Sequence, residues 1–310
     1  MKVLITCPPM LGRMDEFKSL FAEKAIAVDC PPVVQTLSVE ELKQLVPQYD
    51  GWIIGDDPAT EAVFQAGRAG RLKAAVKWGV GVDNVDFAAA KALGIPVTNT
   101  PRMFGAEVAD IAMGYVVGLA RQTFAVDRAV RRGDWIKPAG ISLAGKTAAL
   151  VGFGDIGRQL ARRLLAADMQ VIAYDPQLTG TEDLGAVAVA AWPQRLAAAD
   201  FLLFTCALTP HNRHMLNRDT LALTKLGVRV VNVARGPLID QEALVAALES
   251  GQVHSAALDV FEAEPLPSDS PLRQFDGCIF GTHNASNTVD AVRRASHRAV
   301  ALLFDFLGVA

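Results

Sequence analysis

Three short apolar runs in the second half of the chain each end in residues able to do polar chemistry. Residues 228–231 run into Asn232-Val233-Ala234-Arg235-Gly236-Pro237. Residues 255–258 run into Asp259-Val260-Phe261-Glu262-Ala263-Glu264-Pro265, and residues 278–280 into Gly281-Thr282-His283-Asn284. A guanidinium, a carboxylate and an imidazole make a coherent set. Arg235 would grip a carboxylate and polarise a neighbouring carbonyl oxygen. His283 would give a proton to that oxygen, or take it back in the reverse direction. Glu264 would orient the imidazole and favour its protonated form. Taken singly, each has an ordinary alternative: a surface ion pair for Arg235, a solvated loop acid for Glu264 (as for Glu262), and a core or capping histidine for His283. His211, His214, His254 and His297 have no such setting and are expected in structural or surface roles.

Such a set moves protons and holds charge, but a hydride needs a cofactor. The stretch that would hold one is Leu150-Val151-Gly152-Phe153-Gly154-Asp155-Ile156-Gly157-Arg158. An apolar run, 147–151, leads in, and a helical pattern, 156–166, leads out. A second apolar run, 170–174, ends in Asp175. Gly152 permits a tight turn, Gly154 leaves room for a pyrophosphate, and Gly157 lets the helix lie close to the strand. Unpaired N–H groups and the dipole at the helix start favour phosphate. Asp175 would accept hydrogen bonds from ribose hydroxyls and repel a 2′-phosphate, which predicts NAD rather than NADP. In open parallel sheets, ligands bind beyond the carboxyl ends of the strands. That rule brings Arg235, Asp259, Glu264 and His283 to the same edge as the glycine turn.

The elements behind these residues alternate strand and helix throughout, which predicts an α/β chain with parallel sheets. Strands are expected near 3–6, 51–55, 72–77 and 95–98 in a first unit, with a capping box at Ser38 and Glu41. About six more strands are expected from 147 to 280. A long helical stretch, 106–122 continuing as 125–132, is apolar on more than one face. It is expected to pack against a domain or another subunit. A closing helix, 289–307, is expected to return to the first unit. The domains are therefore expected at 1–98 plus 286–310 and at 99–285, with the cofactor domain inserted and the substrate between the two. In the first unit, the glycines flanking Val80 in Gly79-Val80-Gly81 would free backbone N–H groups as an anion nest, the ordinary alternative being a simple strand-to-helix turn.

Composition narrows the class. The 310 residues are 51% hydrophobic and 20% charged, with a net charge of −3. That is a globular chain with no basic run, so no nucleic-acid partner is expected. No apolar run approaches membrane length and the N-terminus lacks a signal pattern, so neither a membrane nor secretion is expected. Cys7, Cys30, Cys206 and Cys278 have no metal-ligand spacing. Reduced thiols, no metal and a cytoplasmic location are the expectation.

In order along the chain, Gly79-Val80-Gly81-Val82-Asp83-Asn84-Val85-Asp86, Val97-Thr98-Asn99-Thr100-Pro101, the glycine turn, Leu208-Thr209-Pro210, Ala234-Arg235-Gly236, the 259–265 segment and Thr282-His283 resemble the D-isomer-specific 2-hydroxyacid dehydrogenase family. The resemblance spans nearly the whole chain. It implies two Rossmann-like parallel-sheet domains, the first flavodoxin-like. It also implies catalysis by Arg235, Glu264 and His283, with Arg235, Val80 and Gly81 on the substrate. Cofactor contacts are implied for Asp155, Ile156, Asp175, Val233, Ala234, Asp259 and Ser286, with Asp259 meeting the nicotinamide amide. A homodimer built on the long helix is implied too.

Within the family, the chain is most similar to short phosphoglycerate dehydrogenase-like forms. These have a basic residue two before the glycine loop, here Lys77, which would meet a substrate phosphate. No further regulatory domain is expected after the closing helix. The activity implied is NAD-dependent interconversion of a D-2-hydroxy acid and its 2-oxo acid, with 3-phosphoglycerate and 3-phosphohydroxypyruvate as first choice. Hydroxypyruvate or glyoxylate reduction is the alternative, and an NAD(H)-sensing binding protein is the alternative of another class. The chain departs from the family pattern at Arg102, where Gly often follows Thr-Pro, at Thr205-Cys206-Ala207 and at Asn284-Ala285-Ser286.

Overall fold

The computed structural model describes residues 1–179 and 184–309. Residue 310, the end of the expected closing segment, lies outside them. The chain divides into two compact units, Met1–Phe104 with Asn287–Ala310, and Gly105–Ser286.

The first unit is a five-stranded parallel sheet of β1 (Lys2–Ile5), β2 (Ala27–Asp29), β3 (Gly51–Ile54), β4 (Ala74–Lys77) and β5 (Val97–Asn99). Its order is β2-β1-β3-β4-β5, the flavodoxin-like arrangement. β2 is not among the strands expected from sequence: it is three residues at a sheet edge, none of them buried, soon after a helix. The inner strands β3 and β4 are buried throughout, as parallel strands covered on both faces must be. Leu4, Trp52, Ile54 and Phe64 form the centre of one core.

The capping box has both arms: Ser38 N–H donates to Glu41 Oε2 at 2.8 Å, and Glu41 N–H to Ser38 Oγ at 3.3 Å. The helix Val289–Leu307 begins at Thr288, whose hydroxyl accepts from Ala291 N–H, and stops at Gly308 in the left-handed region. Val292, Ala295, Ala299 and Leu303 form its buried stripe, which packs on β3 and β4.

The second unit is a seven-stranded parallel sheet: β6 (Thr147–Val151), β7 (Gln170–Tyr174), β8 (Val187–Val189), β9 (Phe201–Phe204), β10 (Val228–Asn232), β11 (Val253–Leu258) and β12 (Ile279–Phe280). The order is β12-β11-β10-β9-β6-β7-β8. The chain reverses direction across the sheet between β6 and β9, so the ligand crevice of such a fold opens there. Seven strands stand where about six were expected. The extra one, β8, comes from an Ala/Val-rich patch too short to show a period.

The long helical stretch is two helices, Gly105–Arg121 and Thr123–Arg131, broken at Gln122, whose φ is +54°. The first packs on the helix Asp155–Ala166 and on β10, β11 and β12 through Val108, Ala112, Tyr115, Val116 and Leu119. Its packing partner thus lies within its own unit.

Candidate active site

The glycine turn closes β6 at the point of reversal. Gly152 has φ +94°, and a Cβ there would lie 2.5 Å from Cys206 N, just past β9. A Cβ on Gly157 would lie 2.2 Å from Gly152 O, so only glycine lets the helix sit this close to the turn. Gly154 differs: a Cβ there would meet nothing within 4 Å. It caps the helix Asp155–Ala166 with no side chain over the first-turn N–H groups. Open space, uncapped first-turn donors and the helix dipole together fit a phosphate-bearing anion.

Asp175, at the end of β7, belongs to the same construction. Its Oδ2 accepts from Phe153 N–H at 2.7 Å and its Oδ1 from Gln177 N–H at 2.9 Å. Each oxygen keeps a second acceptor site, which suits ribose hydroxyls. Asp155 and Ile156 open the helix, and the Asp155 carboxylate lies against Gly105, where a Cβ would come within 2.3 Å of Oδ2. Thr205 Oγ1 donates to Gly152 O at 2.9 Å and ties the turn to β9. Burial pushes the Cys206 thiol up to about 12, so it is protonated at neutral pH.

The strands β10, β11 and β12 are neighbours. Asn232 pairs with Leu258 and Leu258 with Phe280, so the three strands finish at one level. After β10, Asn232 shapes the turn. Its Oδ1 accepts from Ala234 N–H at 3.0 Å, and its Nδ2 donates to Arg235 O at 2.8 Å. Val233 and Ala234 are buried behind Arg235, whose NH1 donates to Ala234 O at 2.9 Å. A Cβ on Gly236 would lie 1.9 Å from the Phe261 carbonyl, so this turn seats directly on the 259–265 loop.

In that loop Glu264 Oε1 accepts from Phe261 N–H at 2.9 Å, and Oε2 lies 2.8 Å from His283 Nδ1. Both side chains are 21% exposed. A carboxylate only accepts, so Nδ1 is the donor and Nε2 is the ring nitrogen through which a substrate proton would pass. His283 has φ +55°, and its N–H donates to Asp259 O at 2.6 Å.

Asp259 is 2% exposed. Its Oδ2 accepts from Ala285 N–H at 2.9 Å, and its Oδ1 from Asn284 N–H at 3.2 Å and from the Tyr115 hydroxyl at 3.4 Å. It therefore shapes the loop that carries His283. Gly281 must be glycine there, because a Cβ would come within 2.1 Å of Asp259 Oδ1. Ser286, half-buried, closes the segment. Tyr115 is a residue that sequence reasoning misses: one tyrosine in an apolar helical stripe reads as core. Burial pushes its phenol up, so it remains the donor to Asp259.

The first unit holds the glycine loop. Gly79 has φ +131°, and its N–H is taken by Thr100 Oγ1 at 2.8 Å. The donors of the nest are thus Val80 and Gly81. Asn99 Nδ2 holds Val80 O at 3.1 Å, and Asn84 Nδ2 binds Asp57 O at 2.7 Å. Lys77, read from sequence as a phosphate contact, is 2% exposed. Its Nζ donates to Gly55 O at 2.6 Å and to Asp56 Oδ1 at 2.9 Å. Its charge is already matched, so a phosphate would compete with Asp56 for it. Asp57 is fully buried behind them and accepts from Thr6, Gly55 and Leu37, yet burial still pushes its carboxyl up.

Comparison with known proteins follows the same lines. Residues 113–285 match the family described as D-isomer specific 2-hydroxyacid dehydrogenase, NAD binding domain. A hydroxypyruvate reductase of Thermotoga maritima is 38% identical over 285 residues, covering 88% of this chain and 90% of that protein. A D-3-phosphoglycerate dehydrogenase of Methanocaldococcus jannaschii is 37% identical over 268 residues, covering 85% of this chain but 51% of that protein. The chain thus spans about half the length of that dehydrogenase. A solved protein from Thermus thermophilus is 30% identical with a TM-score of 0.87, covering 99% of this chain and 97% of that one. A glyoxylate reductase from Paecilomyes thermophila is 27% identical with a TM-score of 0.84, covering 99% and 95%.

Proposed function

This chain belongs to the D-isomer specific 2-hydroxyacid dehydrogenase family, and from that premise we propose that it reduces a small unphosphorylated 2-oxo acid, of the hydroxypyruvate or glyoxylate kind. It is an NAD-dependent oxidoreductase of D-2-hydroxy acids. The observation that carries the site assignment is the 2.8 Å pair of Glu264 with His283, beside the strand end that carries Arg235. NADH supplies the hydride, and NAD takes it up in the reverse direction. Gly152, Gly154, Gly157 and Asp175 hold that cofactor in our reading. Asp155, Ile156, Val233, Ala234, Asp259 and Ser286 line its path.

Arg235 holds the substrate carboxylate and draws charge onto the carbonyl oxygen. His283 delivers a proton to that oxygen from Nε2, while Glu264 holds Nδ1 and stabilises the imidazolium. The Val80 and Gly81 N–H groups receive a carboxylate oxygen. Lys77 lies beneath them, its Nζ 3.5 Å from where a Gly79 Cβ would stand. Paired with Asp56 and Gly55 O, it supports the loop that carries the nest, so its loss acts on every substrate alike.

Steady-state NADH consumption with glyoxylate, hydroxypyruvate and phosphohydroxypyruvate tests this reading. The unphosphorylated acids should have the higher kcat/KM. Preference for the phosphorylated acid would favour the second reading, phosphoglycerate oxidation, which the 37% identity to phosphoglycerate dehydrogenase supports. Lys77→Ala separates the two as well. On our reading it lowers kcat/KM for all three acids together, within about threefold of one another. A loss confined to phosphohydroxypyruvate, about tenfold or more (about 1.4 kcal/mol), would restore the phosphate role.

We also propose a homodimer. Ile111, Val117, Phe124, Val130, Trp135 and Ile136 are exposed on the 105–136 segment, with Trp135 80% exposed. A run of apolar side chains of this kind is what a subunit interface covers. Light scattering should give twice the chain mass for the wild type and the chain mass for Trp135→Asp. A monomeric wild type would remove the dimer. No helix among the described residues is long and apolar enough to cross a membrane. A cytoplasmic location is part of the proposal, checked by cell fractionation.

A further inference from the structure

Sequence leaves His214 in a structural or surface role and Glu262 as a solvated loop acid, and the structure joins them. His214 Nε2 is hydrogen-bonded to Glu262 Oε1, with the two side chains 37% and 29% exposed. Glu262 lies inside the short turn that Phe261 N–H closes onto Glu264. His214 is itself fixed at its backbone. It has φ +51°, its N–H donates to Pro237 O at 2.8 Å, and Asn217 Nδ2 binds its carbonyl at 3.1 Å. Two residues on, Leu216 bridges Ile239. The segment after β9 is therefore laced to the segment that follows Arg235, and Gly236 of that segment is the seat of Phe261.

From this geometry we infer that His214 is a positioning residue, acting through Glu262 to hold the turn that presents Glu264 to His283. The inference rests on the reading that Glu264 and His283 form the proton-transfer pair. The turn is pinned at three points: Phe261 on Gly236, Phe261 N–H on Glu264, and Glu262 on His214. Removing the third takes away the side-chain tether of Glu262 and leaves its backbone seated on Gly236. Glu264 then has more freedom to leave the imidazole, and sub-ångström displacement at such a pair is felt in the chemical step.

The test uses His214→Ala, Glu262→Ala, the double variant and His214→Gln, with kcat, both KM values and the pH dependence of kcat for 2-oxo acid reduction. Each single alanine variant should lower kcat about tenfold and leave both KM values within about twofold. The alkaline limb of kcat should move to lower pH, because a less well held carboxylate stabilises the imidazolium less. The double variant should be no worse than either single one, as for members of one contact. His214→Gln, whose amide N–H can still reach Glu262, should recover part of kcat. Unchanged kcat with an unmoved alkaline limb, or losses that multiply in the double variant, would overturn the inference. If His214→Ala does not fold, Glu262→Gln carries the same expectations in weaker form. His283→Ala distinguishes the two levels. An active His283→Ala enzyme sinks the proton-transfer reading, whereas an inactive one beside unaffected His214 and Glu262 variants sinks only the positioning role.

Discussion

His283→Ala should lower kcat for 2-oxo acid reduction by on the order of 10²- to 10⁴-fold, while the dissociation constant of NADH stays within about threefold. The imidazole is the one titratable side chain on the loop after β12, and its Nδ1 is engaged by Glu264 at 2.8 Å. Without it, water must protonate the developing alkoxide on this reading. Arg235 would still polarise the carbonyl, so the reaction would be slowed rather than abolished. His283 has φ +55°, a conformation that asparagine accepts more readily than alanine. His283→Asn is thus the companion variant: it should keep the loop and lose the rate equally. Glu264→Gln should lose less than His283→Ala, because it removes the charge that supports the acid and leaves the acid in place. Stopped-flow NADH absorbance at saturating substrate reads both. A His283→Ala rate within about threefold of wild type would take the proton-transfer role from this residue.

The three glycines of the cofactor turn should respond to alanine in two different ways. At Gly154 a Cβ meets nothing within 4 Å, and the backbone lies at φ −74°, ψ −152°. Gly154→Ala should leave the urea midpoint unchanged and weaken NADH binding on the order of tenfold, because the methyl occupies the space over the helix N-terminus. At Gly157 the Cβ would lie 2.2 Å from Gly152 O, a backbone atom that cannot swing aside. Gly157→Ala should push the helix off the turn, cost about 1–3 kcal/mol of stability and lose NADH affinity as well. At Gly152 the positive φ and Cys206 N at 2.5 Å combine to give the same outcome. Urea unfolding and fluorescence titration with NADH separate the two responses. Equal loss of stability at Gly154 and Gly157 would mean that the turn holds no open anion site.

Much of this is legible from local pattern. The strand, glycine turn, helix and acid from Thr147 to Asp175 can be read because each step is set by residues close in sequence. A glycine is needed where φ is positive, an apolar run where a parallel strand is covered on both faces, and a carboxylate at the strand end. The capping box at Ser38 and Glu41 is legible for the same reason. β2 and β8 are not, since three residues at a sheet edge are strands only because a neighbour's N–H and C=O groups lie beside them. Arg235, Glu264 and His283 can be picked out by a topological rule: parallel strands send their carboxyl ends to one edge, and these residues follow three of them.

Side-chain partners are a matter of tertiary structure. Sequence alone determined the α/β class and the family, and it singled out the glycine turn and the three residues proposed for the chemistry. The fold decided that Lys77 is enclosed by Asp56 and Gly55, that Asp259 shapes the loop of His283 with Tyr115 behind it, and that His214 meets Glu262. The physical reason is range. A turn or a cap depends on residues three or four apart, whereas Tyr115 and Asp259 are 144 residues apart in sequence. Such a pair exists only because helix and sheet packing bring their backbones together, and local periodicity carries no trace of it.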